Sequence, residues 1–271
     1  MLVPGLWFVV CGSPTRFTET RKVIGTVVVA LAGLALAAPA AQAAVITVLS
    51  AGAIEPGLAG LADTFRRNTG TEVAITFGTA PALRRIVAAG QEGDILIAPP
   101  AAIEDFVKTG KVAAEERAVI GRVGVGVAVR SDARVPDIAT TEALKRAVLA
   151  ADSLVYNEAS TGIYFARLLE RLGIANDVKA KTTRYPDGAA VLDHLLKGKG
   201  NEIGVGAITE IIVYTKKGLK LVGPLPSEVQ NYTTYTAALM AGAKSPDAAK
   251  AFIRFLTSPS SKAAFAATGV E

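Results

Sequence analysis

Few side chains in this sequence combine a type and a setting that could do chemistry. His194, the sole histidine, stands between Asp193 and Leu195 within an apolar helical pattern, where it reads as a surface or packing residue. Asp187 in YPDG and Glu158 in NEAS could form a carboxylate pair, but each sits where a turn or a helix start wants an acid. The sequence contains no nucleophile elbow, phosphate loop or metal-ligand cluster. Its single cysteine, Cys11, lies ahead of a cleavage signal, so the mature chain is expected to hold no disulfide, thiolate metal site or cysteine nucleophile. What remains is the chemistry of the backbone. In VITVLSAGAIEPGLAGLADTFRRNTG, residues 45–70, a short apolar β-branched run leads through small residues into a helical pattern. Such a loop aims the free N–H groups of a helix start at whatever lies above the strand ends, a ready site for an anion.

That stretch carries its own signals for strand, loop and helix. Pro56 suits a first helical turn, Leu58, Leu61, Ala62 and Phe65 share one face, Arg66 and Arg67 suit the last turn, and Gly70 can cap it. The same order recurs in EVAITF (72–77), the turn Gly78 and Thr79, and a helix opened by Pro81 with Leu83, Ile86 and Val87. It recurs again in DILIA (94–98) and a short helix with Ile103, Phe106 and Val107. Alternation at this spacing predicts a parallel sheet covered on both faces. The glycine-punctuated run 119–129 predicts a long strand passing from one lobe to another. Beyond it the pattern predicts strands over 153–156, 178–182, 203–207 and 232–240. Helices are predicted from about Thr161, over 187–197, after Thr209 as a cap, and from Ser245 and Pro246 to a terminal face of Phe252, Ile253 and Phe255.

The chain has 271 residues and a net charge of +5, but the N-terminal segment must be set apart. Arg16, Arg21 and Lys22 precede an uncharged run, and Ala41, Gln42 and Ala43 form an A-x-A site, so residues 1–43 read as a cleaved secretory signal with an N-terminal extension. The segment removes three cations and the acid Glu19, which lowers +5 to +3. That charge is too mild and dispersed for nucleic-acid binding. The expectation is an exported, periplasmic, monomeric protein without a cofactor.

ITVLSAGAIEPGLAGLADTF, TFGTAPALRRIVAAGQEGDILIA, STGIYFARLLERLGI and EIGVGAITE resemble, in order and spacing, the molybdate-binding proteins of ABC importers, which are class II periplasmic solute-binding proteins. The resemblance spans nearly the whole mature chain. It implies an α/β fold of two lobes, each a mainly parallel sheet flanked by helices, joined by a two-stranded hinge. Lobe 1 would comprise residues 44–126 and 229–271, and lobe 2 residues 127–228. It also implies an anionic ligand trapped between the lobes, and a permease and an ATPase as partners.

In that family the oxyanion is held by backbone N–H groups and neutral hydroxyls. Matched segment by segment, two loop serines fall on Ala53 and Ala80, a tyrosine falls on Ala207, and two backbone donors fall on Thr161 and Ala189. Losing several hydrogen bonds to a desolvated dianion costs about 1.5 to 3 kcal/mol each, and the vacated volume favours a larger ligand. Thr79, Asn157, Ser160, Thr161 and Thr209 occupy the same loops and could supply replacement groups. Arg84, Arg85, Tyr164 and Tyr185 are more distant candidates. The expectation is therefore a non-enzymatic importer component binding a small organic carboxylate. A molybdate or tungstate protein, a ligand-sensing module and an enzyme stay open as alternatives.

Overall fold

The computed structural model describes residues 44–271; the expected signal segment and Cys11 lie outside the described residues. Nine strands alternate with helices: β1 (Val45–Ala51), α1 (Glu55–Thr69), β2 (Glu72–Gly78), α2 (Ala80–Ala88), β3 (Ile95–Ala98), α3 (Pro100–Lys108), β4 (Val112–Arg130), α4 (Thr141–Ala150) and β5 (Ser153–Asn157). Then come α5 (Ser160–Arg171), α6 (Ala175–Val178), β6 (Thr182–Tyr185), α7 (Gly188–Lys197), β7 (Glu202–Ala207), α8 (Ile208–Thr215), β8 (Leu219–Pro224), β9 (Tyr232–Met240), α9 (Pro246–Leu256) and α10 (Pro259–Ala266).

The strands form the order β2-β1-β3-β9-β4-β7-β5-β6, with β8 beside β4. The β2-β1-β3 and β7-β5-β6 blocks are parallel, while β9 and β4 run antiparallel to their neighbours. β4 therefore belongs to two sheets. It pairs with β9 up to Gly124 opposite Tyr232, and from Val125 onward with β7, opposite Ala207. The Gln230 side chain marks the change of partner, accepting from the Val125 N–H at 3.1 Å and donating to its carbonyl at 3.0 Å.

Helices cover both faces of each sheet, which is why the central strands read as unbroken apolar runs. Ile46 and Val48 of β1 point to a core shared with α1, α9 and α10, where Phe65 lies 4.9 Å from Phe252 between ring centres. Leu49, one residue on, points to the opposite core with Leu83, Ile103 and Phe106, as the two-residue period of a strand requires. In the second sheet Val127, Leu154 and Val205 pack on Phe165, Leu168 and Leu169, and Ala128 faces Leu192, Leu195 and Ile211 on the other side.

Two local expectations fail. Residues 178–182 are not a strand: Val178 ends α6, residues 179–181 form a 3-10 turn, and β6 starts at Thr182. The terminal segment holds two helices, because Pro259 breaks the run and the Ser258 hydroxyl accepts from the Ser261 N–H to cap α10.

Candidate functional site

Five helix starts converge on one cavity of about 230 Å³. Its wall takes Gly52, Ala53 and Glu55 from the turn into α1, Thr79 and Ala80 from the start of α2, and Ser160 and Thr161 from α5. Asp187, Gly188 and Ala189 come from the start of α7, Ala207 caps α8 by position, and Phe77, Pro99 and Tyr235 close the apolar side. Each start follows a strand that ends at the same edge, so the topology alone delivers the convergence.

Local chemistry fixes how the backbone meets the cavity. The Thr79 hydroxyl accepts from the Ala82 N–H at 3.4 Å, the Asp187 carboxylate from the Ala190 N–H at 2.9 Å, and Asn157 Oδ1 from the N–H groups of Ala159 and Gly162 at 3.0 and 3.1 Å. These caps satisfy later amides, while the helix itself leaves the first-turn amides of Ala80, Ser160, Thr161, Gly188 and Ala189 without an acceptor. Gly162 is required where it stands, since a Cβ there would lie 1.7 Å from the Asn157 carbonyl oxygen.

Eight of the nine residues expected at the site, Ala53, Thr79, Ala80, Asn157, Ser160, Thr161, Ala189 and Ala207, line this cavity. Thr209 does not. It is fully buried, and its hydroxyl donates to the Ala53 carbonyl, tying α8 to the turn before α1. Nor does Thr209 cap α8, whose N-cap position is Ala207. The Asn157 amide and the Thr161 hydroxyl are buried and bonded to each other at 3.1 Å, so neither side chain is free as a replacement donor. Thr79 and Ser160 keep hydroxyls in the cavity wall.

The distant candidates are engaged elsewhere. Arg84 pairs with Asp105 at 2.6 Å, the Tyr164 hydroxyl donates to the Val229 carbonyl at 2.7 Å, and Tyr185 meets His194 Nδ1 at 3.0 Å. Neither Arg85 nor Glu158 is among the cavity-lining residues.

The residue that sequence reasoning missed is Glu210. It stands in the first turn of α8, an ordinary place for an acid, yet its carboxylate reaches across to the starts of α1 and α7. A Cβ on Gly188 would lie 2.0 Å from Glu210 Oε2, and one on Gly52 would lie 3.6 Å from Oε1. Gly188 therefore leaves the room in which the Glu210 carboxylate stands, although DG in sequence reads as a turn signal. Desolvation pushes the Glu210 carboxyl up to about 7, and the neighbouring charges of Asp187 and Glu55 push the same way. Desolvation, with Glu210 nearby, also raises the buried Tyr235 hydroxyl well above its usual range. No lysine or arginine is among the cavity-lining residues.

The aconitate isomerase of a Pseudomonas species is 27% identical over 235 residues, covering 83% of this chain and 87% of its own. The molybdate-binding protein ModA of Escherichia coli strain K12 is 24% identical over 219 residues, covering 79% and 84%. The periplasmic molybdate-binding protein of Azotobacter vinelandii superposes with a TM-score of 0.71 at 16% identity, covering 83% of this chain and 98% of that one, which identifies the two-lobed α/β fold of periplasmic binding proteins. With residues 46–271 also matching the model for bacterial extracellular solute-binding proteins, the chain belongs to that family.

Proposed function

We propose that this protein is the solute receptor of an ABC importer, exported to the periplasm and cut after Ala43, and that its ligand is a small organic carboxylic acid rather than molybdate. The observation that carries the ligand class is the composition of the cavity wall. Helix starts supply a positive potential that attracts any anion, but alanine stands at 53, 80 and 207, where the family resemblance places hydroxyls. The cavity holds about 230 Å³, the volume of roughly eight waters, whereas a tetrahedral oxyanion has five heavy atoms. Thr79, Ser160 and the first-turn amides of both sheets remain to orient carboxylate oxygens. The 27% identical relative is named for an organic tricarboxylate, which supports the same class.

The lobes in this reading are residues 44–126 with 229–271, and residues 127–228. They hinge where β4 changes sheets and where Gln230 clamps Val125. A ligand touching both lobes selects the closed form, in which a permease and an ATPase would recognise the monomer. Calorimetry with a panel of di- and tricarboxylates, molybdate and tungstate tests the proposal. An organic acid is expected to bind at micromolar strength or better, about 8 kcal/mol, and molybdate at least about tenfold more weakly. Nanomolar molybdate binding by the unmodified protein refutes it.

A further inference from the structure

The Glu210 carboxylate, in its ionised form, works against anion binding. It lies in the cavity wall against Gly52 and Gly188, beside Glu55 and Asp187 and with no cation among the lining residues, so a bound anion meets it as a like charge. We propose that Glu210 exchanges a proton with a carbon of the bound acid, giving the cleft an isomerase activity on unsaturated di- or tricarboxylates. The reaction is a 1,3-shift of hydrogen along an H–C–C=C unit, and it rests on the organic-acid reading above.

The step balances without a co-reactant. Ionised Glu210 takes the proton from the allylic carbon, and the C–H electron pair becomes the new C=C bond. The former π pair takes the proton back at the far carbon, leaving Glu210 ionised and the formula of the acid unchanged. Charge that develops on the substrate carboxylate in between faces the unpaired first-turn amides of α2, α5 and α7, which act as preorganised donors in a partly desolvated cleft. Glycine at 188 leaves the carboxylate clearance to stand beside these amides. The position of the titration suits the task as well, because a general base works best when it ionises near the ambient pH, and Glu210 does so at about 7. The titratable groups that face it are Glu55 from α1, Asp187 at the start of α7 and Tyr235 from β9, with Tyr214 further along its own helix.

The probes are cis- and trans-aconitate, each given to the protein in D₂O and followed by proton NMR, with calorimetry on the same samples. Deuterium should enter the allylic position, and each isomer should yield the other. Glu210→Gln should lower that rate at least about 100-fold while changing the dissociation constant by less than about tenfold. Glu210→Asp, which keeps the base, should retain a measurable fraction and guards against loss by misfolding. The rate should rise with pH through about 7, since the ionised form is the base. Binding with neither exchange nor interconversion overturns the isomerase and leaves the receptor standing, and full exchange in Glu210→Gln overturns Glu210 as the base. If neither isomer binds at millimolar concentration, the isomerase falls, and the carboxylate panel above decides the organic-acid reading separately.

Discussion

Replacing Glu210 by glutamine should stabilise the protein at alkaline pH and leave it unchanged at acidic pH. In the folded chain the Glu210 carboxyl holds its proton up to about 7, against 4.5 for a solvated glutamate. Between those values the folded state binds more protons than the unfolded one, so stability falls as pH rises across the window. Below about 4.5 both states are protonated and no penalty exists; above about 7 both are ionised and the full penalty stands. Two and a half pH units at 1.36 kcal/mol each give about 3 kcal/mol, carried mainly by desolvation, with Asp187 and Glu55 adding to it. For a chain of this length that is a Tm difference of about 6 to 12 °C.

Glutamine keeps the shape of glutamate and never ionises, so it has no such window. Whatever packing cost the substitution carries is the same at every pH and cancels when the wild-type and variant melting curves are compared at pH 4.5 and pH 8. The difference between them should widen by about 6 to 12 °C on going to the higher pH. Asp187→Asn should narrow the wild-type window, since it removes one of the two charges that face Glu210. A gap that stays constant within about 2 °C across the range would refute the desolvated carboxyl and, with it, the geometry that places Glu210 between Gly52 and Gly188.

Gly188→Ala should drive the Glu210 carboxylate out of the cleft wall, costing about 1 to 3 kcal/mol of stability and abolishing the pH-dependent gap above; melting of the single and double variants reads both. Gln230→Ala removes two hydrogen bonds to Val125, worth about 1 to 3 kcal/mol together, and should broaden the range of lobe arrangements seen by small-angle scattering, while ligand should shrink the radius of gyration of the wild type. Restoring Ser at Ala53 and Ala80 and Tyr at Ala207 should narrow the preference for an organic acid over molybdate, measured by calorimetry.

The elements that position the cleft were legible because their signals are local. A β-branched run, a small turn and a proline at a helix start are each readable within about ten residues, and Pro56 and Pro81 stand at the starts of α1 and α2. The misplaced strand at 178–182 failed for a local reason too: VKAKT alternates like a strand, but Ile174 and Val178 bury into the α4–α5 core and hold the segment in α6 and a 3-10 turn. Glu210 and Thr209 were illegible for a different reason. Both sit in the first turn of α8, where an acid and a hydroxyl are routine capping residues, and what separates them is which distant backbone each meets. Thr209 meets the Ala53 carbonyl, 156 residues away in sequence, and Glu210 meets Gly52 and Gly188. No periodicity encodes those partners.

A cleft built from helix starts separates attraction from selection. Backbone dipoles draw in any anion at close range, and they survive every side-chain change that leaves the helices in place, including alanine at 53, 80 and 207. Selection then falls to the side chains in the wall, and here those include the hydroxyls of Thr79 and Ser160, an apolar side, and the carboxylates of Glu55, Asp187 and Glu210. A carboxylate beside an anion site would be repulsive in its ionised form, but in its protonated form it becomes a donor to the ligand. Binding of an anion next to Glu210 must therefore favour the protonated form and raise its titration further. The isomerase needs part of Glu210 ionised in the bound complex, so the rise of its rate with pH should lie above that of the free protein: kcat should reach half its maximum at a higher pH than kcat/KM. Coincident midpoints would mean that the ligand does not sense the carboxylate at all.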